Sequence, residues 1–110
     1  MLEGIFGNRT AEKVLLFLEH YGEGYARSIA GTFGDVSVSM ALAQLKRFEG
    51  AGLLVSRRRG RTLLFSWNPR YAFLAEVRAL LQKALAALPE QERRRYFRER
   101  RRPRRSGKPE

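Results

Sequence analysis

A connection of three residues constrains this chain more than any other feature. The segments "YARSIAGTFG" and "DVSVSMALAQLKRFEGAG" both carry apolar residues at helical spacing, and only Gly34, Asp35 and Val36 separate the two helices. Ala26, Ile29, Ala30 and Phe33 share one face of the first; Val38, Ala41, Leu42, Leu45 and Phe48 share one side of the second. So short a link makes the pair cross closely, which defines a helix-turn-helix unit. Gly34 suits the left-handed backbone that stops a helix, Ser37 suits the cap that starts the next, and Gly50 and Gly52 stop that one.

The flanking segments read in the same way. "TAEKVLLFLEHYG" predicts a helix capped by Thr10, with Glu12 in its first turn and Gly22 and Gly24 at its end. Ala11, Val14, Leu15 and Leu18 recur at helical steps, and Leu16 and Phe17 widen the apolar surface, so this helix is buried on more than one side. After Gly52 the period changes. Leu53-Leu54-Val55 and Leu63-Leu64-Phe65 flank the polar stretch "SRRRGRT", a β-hairpin pattern that Asn68-Pro69 closes. Residues 71–88 predict a long amphipathic helix with Phe73, Leu74, Val77, Leu80, Leu81, Ala84, Leu85 and Leu88 on its stripe. That stripe is wide enough to serve a homodimer contact. Pro89 suits the first turn of a short helix that carries Glu90 and Glu92 at its start. From Arg98 on, the charge run and two prolines favour disorder. The expected organisation is a domain over 1–70, helices for packing or dimerisation over 71–97, and a basic tail over 98–110. The expected fold class is mainly α with a small β-hairpin.

The charge balance narrows the partners. The 110 residues carry a formal net charge of +11, with 22 basic against 11 acidic groups. Residues 1–88 alone carry a net of +5, so the folded part is basic without its tail. Anionic partners follow, nucleic acid first. Eighteen of the basic residues are arginine, the better fork for phosphate oxygens and guanine edges. No cysteine is present, and His20 is the one histidine, so disulfides, thiolate sites and His-rich metal sites within one chain are excluded. His20 itself reads as a capping or surface residue. No apolar stretch approaches the roughly 18 residues a membrane span needs, and "MLEGIFGNRT" has no signal-peptide pattern. A cytoplasmic protein with no membrane partner and no cofactor is the expectation.

The order of elements, three helices with a tight turn before the third, then a basic hairpin and a long helix, resembles a winged helix-turn-helix domain. "DVSVSMALAQLKRFEGAGLLVSRRRGRTLLFSWNP" is similar to the recognition-helix-and-wing segment of ArsR-like and MarR-like regulators. Those end the capped helix in an "LKxLExAGL" pattern, matched here by "LKRFEGAGL" over residues 45–53. They continue into a strand, a basic glycine tip, a returning strand and an Asn-Pro exit. The resemblance covers about residues 6–70 and implies a transcriptional regulator that binds double-stranded DNA, with the helix over 37–50 in the major groove. It puts Ser37, Ser39, Met40, Ala43, Gln44, Lys46 and Arg47 of that helix on DNA. It puts the wing residues Arg57, Arg58, Arg59 and Arg61 there too, with Gly60 permitting the turn.

The chain also departs from the family. Leu42, Ala43 and Gln44 stand where relatives carry polar residues, so wing and phosphate contacts are expected to supply more affinity than base reading. The Cys and His sites of metal-sensing relatives are missing, and the long amino-terminal helix that many relatives use in dimerisation is expected to be missing or reduced to a few residues. No enzyme constellation emerges: there is no phosphate-cradling Gly loop, no carboxylate pair, and no serine with a histidine partner. Two other readings stay open. One is a winged-helix protein-interaction module, or the partner of a separately encoded enzyme such as a nucleotidyltransferase. The other is RNA binding through the arginine-rich tail.

Overall fold

A computed structural model describes residues 1–98. These form α1 (Glu3–Phe6), α2 (Arg9–Tyr21), β1 (Glu23–Tyr25), α3 (Ala26–Thr32), α4 (Val38–Gly50), β2 (Leu54–Arg59), β3 (Thr62–Trp67), α5 (Leu74–Ala87) and α6 (Glu90–Tyr96). Among the described residues the fold is mixed α/β: six helices and one antiparallel sheet in the order β1-β3-β2. One apolar core, reaching from Leu2 to Phe97 in the chain, joins α2, α3, α4, the sheet and α5.

The expectation of a bare hairpin is corrected by β1. Gly22 and Gly24 look only like a helix stop, yet the chain leaves α2 at Gly22 (φ 91°) and pairs at once with β3, Glu23 opposite Ser66 and Tyr25 opposite Leu64. A strand of three residues has no alternation to detect; β3 holds it in place. Gly24 is buried there, and a Cβ on it would stand 2.6 Å from Cε1 of Phe17.

α2 starts two residues earlier than expected. Arg9 is its first residue, so the cap is Asn8, whose side-chain oxygen accepts from the Ala11 N–H at 2.8 Å, and Thr10 lies inside the first turn. Its residues Ala11, Val14, Leu15, Leu16, Phe17 and Leu18 are all buried, as the wide apolar surface implied.

The link between α3 and α4 is also different. α3 ends at Thr32, so five residues, 33–37, join the helices. Gly34 does not adopt a positive φ; Phe33 leaves the helix in extended backbone (φ −109°, ψ 123°). Phe33 and Val36 drop into the core and anchor the turn with side chains rather than with a glycine bend. Lys13 grips it from α2, with Nζ 2.7 Å and 2.6 Å from the two Asp35 carboxylate oxygens. Ser37 caps α4 as expected, its Oγ accepting from the Met40 N–H at 3.1 Å. At the other end Gly50 is still helical and the stop belongs to Gly52 (φ 89°).

Asn68 ties the hairpin exit to this stop, its Nδ2 donating to the Gly52 carbonyl at 2.8 Å. α5 then lies along α2. Leu81 and Ala84 are buried, Leu74, Val77, Leu80 and Leu85 are half-buried, and Phe73 precedes the helix and is exposed. Pro89 sits at the cap position of α6, not in its first turn. The chain closes on the body through Tyr96 and the buried Phe97, which meet the Phe33 ring at 5.1 and 5.8 Å between centroids. His20 belongs to this seam, its Nε2 2.7 Å from the Arg98 carbonyl oxygen. The basic tail, Arg98 apart, lies outside the described residues.

Candidate nucleic-acid interface

The hairpin is longer and stiffer than a basic loop. β2 and β3 pair from Leu54 opposite Trp67 to Arg59 opposite Thr62, leaving only Gly60 and Arg61 as the turn. Gly60 takes φ 64° at the first of these two positions, as the primed turns of two-residue hairpins require. Thr62 Oγ1 donates to the Arg59 carbonyl at 3.0 Å and pins the turn further. Arg57, Arg58 and Arg59 are therefore strand residues, not tip residues. Successive strand side chains point to opposite faces, so Arg57 and Arg59 share one face and Arg58 takes the other.

That alternation separates their roles. Arg57 stands in one row with Leu64 and Tyr25 across the sheet, and its Nη2 lies 3.8 Å from Oε1 of Glu23 on β1. Leu64, flanked by both neighbours, is buried outside the main core. Arg57 thus belongs partly to the outer face of the sheet. Arg58, Arg59 and Arg61 are exposed and make no ion pair among the described residues. The sequence does not single out Glu23, because nothing near it marks a strand that pairs with the hairpin.

α4 leads directly into this hairpin and is bonded to it: Ser56 Oγ donates to Glu49 Oε2 at 2.6 Å. On α4, Ala41, Leu45 and Phe48 are buried, while Ser37, Ser39, Met40, Ala43, Lys46 and Arg47 are exposed. The polar members of the expected site are mostly engaged within the chain. Ser37 Oγ and Ser39 Oγ are 3.2 Å apart. Gln44 accepts from Arg47 Nε at 3.0 Å, and Arg47 Nη2 donates to the Phe6 carbonyl at 2.6 Å while its guanidinium stacks 4.6 Å over the Phe48 ring. Arg47 is thereby drawn back onto the end of α1. Lys46 carries the free charge of this face and makes no ion pair among the described residues. Val38, expected in the core, is exposed, because burial on this side of α4 begins only at Ala41.

The turn before α4 is charged and braced. The Lys13 ammonium, hydrogen-bonded to Asp35, holds that carboxyl below its ordinary value. Elsewhere a cleft of about 430 Å³ opens between α2 and α6 over Leu16, Phe33 and Leu88; no residue of α4 or the hairpin lines it. Among the described residues no group of three His, Cys, Asp or Glu side chains is placed to hold a metal ion, and no helix is long and apolar enough to cross a membrane. Comparison with protein-family models, curated proteins and solved structures finds no match to this chain.

Proposed function

We propose that this chain is a winged helix-turn-helix transcriptional regulator, similar in kind to ArsR-like and MarR-like proteins, that binds duplex DNA. α4 enters the major groove and the β2–β3 hairpin grips the neighbouring backbone as the wing. The reading is supported by the element order, with a braced turn between α3 and α4 and a sheet whose outer hairpin follows α4 directly. One observation carries it. Arg58, Arg59 and Arg61 sit, without internal carboxylate partners among the described residues, at the end of a hairpin stiffened by a two-residue turn. Arginines on an ordered backbone suit phosphate oxygens, and binding then costs the ordering of their side chains only.

The regulator acts as a homodimer through α5, where Leu80 and Leu85 are half-buried and which the exposed Phe73 precedes. Selection of bound sequences from a random duplex pool at two salt concentrations tests both parts. An enriched palindrome is expected; absence of any duplex binding at low salt overturns the reading. The exposure of Val38 and Met40 favours a second reading, a winged-helix module that binds protein. A stoichiometric partner that co-purifies with the chain, together with no DNA affinity, selects it.

A further inference from the structure

We infer that α4 reads the C5-methyl groups of thymine, so that the chain prefers A·T pairs under the first turns of this helix; this rests on the DNA-binding reading above. The major groove offers hydrogen-bond donors and acceptors on every pair, and one apolar group, the thymine methyl. Met40 and Ala43, exposed on one face of α4, match the apolar group. Met40 is 44% exposed, and Ala43 is exposed one turn on. Met40 and Ala43 are three residues apart, which sets them side by side on the helix surface.

The polar groups nearby are engaged. Ser37 Oγ caps the Met40 N–H and lies against Ser39 Oγ, Gln44 holds Arg47, and Arg47 holds the Phe6 carbonyl. Gln44 Oε1 and two of the three Arg47 nitrogens already have partners, so a bidentate grip on a base edge competes with those bonds, whereas a methyl group against Met40 and Ala43 breaks none. Thioether side chains also adapt to an irregular apolar contact. The occupant of this face is DNA rather than an apolar protein surface because the helix and the hairpin that follows it carry cations that are unpaired among the described residues. Lys46 lies on the same helix, Arg58, Arg59 and Arg61 lie on the hairpin that follows, and the chain carries a formal net charge of +11.

Replacing thymine by deoxyuridine removes only the methyl and leaves pairing and phosphate charge intact. Equilibrium binding by fluorescence anisotropy is measured on a selected duplex and on copies with single thymines replaced. Loss of about fourfold in affinity per contacted methyl is expected. Met40→Ser, at an exposed site, is expected to lose the thymine–uridine difference at the position Met40 contacts while keeping the salt dependence of the parent chain. Equal affinity of the parent chain for both duplexes at every position, with binding still salt-sensitive, overturns the thymine reading and leaves DNA binding standing. Absence of duplex binding at low salt overturns both.

Discussion

Gly24 sits where α2, β1 and α3 meet, and the space beside it is already filled. A methyl group there would stand 2.6 Å from Cε1 of Phe17 and 3.6 Å from Cγ1 of Ile29. The Phe17 ring is buried and packed at a tilt against Tyr21, 4.5 Å between centroids, so it has little room to yield. Gly24→Ala is expected to destabilise the fold by about 1–3 kcal/mol, the usual cost of overpacking, as read from the midpoint of urea unfolding. Residues of this kind are only partly legible in the sequence. Ser37 and Gly60 carry local chemistry, a cap and a turn, that needs no tertiary partner to be recognised. Gly24 and Gly34 look like helix stops in the sequence, and neither has that role: the first makes room for a ring, and the second lies in a turn held by Phe33 and Val36. Which glycine bends the chain depends on where the neighbouring apolar side chains are drawn, and that is a property of the packed core.

The elements are held to one another by a few polar ties as well as by the core. Glu19 on α2 has a side chain only 3% exposed and accepts from Arg78 Nε at 2.8 Å and from Gln82 Nε2 at 2.9 Å, both on α5. Arg78→Ala removes the countercharge of a buried carboxylate, so a loss of about 2 kcal/mol is expected by urea unfolding. Glu19→Gln, which leaves no charge behind, is expected to cost less. A second tie joins α2 to the turn before α4. Lys13 hydrogen-bonds Asp35 and lowers its carboxyl pKa. An unfolded aspartate titrates near about 3.9, so this tie contributes fully above about pH 4 and is lost as pH falls through the lower folded value. Asp35→Asn is expected to lose that acid-side dependence. The difference stays under about 1 kcal/mol, since the Asp35 carboxylate is largely exposed; urea midpoints at pH 3 and pH 6 check it. The helices are legible in the sequence because each buries a stripe at 3.6-residue spacing. Strand β1 is not, because three residues at a sheet edge show no period, and its Glu23–Arg57 pair links positions that only the sheet register brings close.

For the whole molecule the governing quantity is charge, and charge is additive enough to be counted from composition alone. The excess of basic groups points to an anionic partner. What composition does not reveal is which cations are free to meet one. Arg47 is held by Phe6 and Gln44, Arg57 faces Glu23, and Arg78 faces Glu19, whereas Arg58, Arg59, Arg61 and Lys46 have no such partner among the described residues. Each arginine that neutralises one phosphate releases counterions and contributes about 0.9 to the slope of log affinity against log salt. Replacing Arg58, Arg59 and Arg61 together by alanine is therefore expected to flatten that slope by about 2–3 and to weaken binding similarly on all duplexes. Arg47→Ala removes an internally engaged cation and is expected to change the slope by less than one arginine's share. The two variants separate a grip that belongs to the hairpin from one spread over the basic surface at large. Equal slopes for the parent chain and the triple variant, measured by titration of a fixed duplex across salt concentrations, would place the phosphate contacts elsewhere on the molecule.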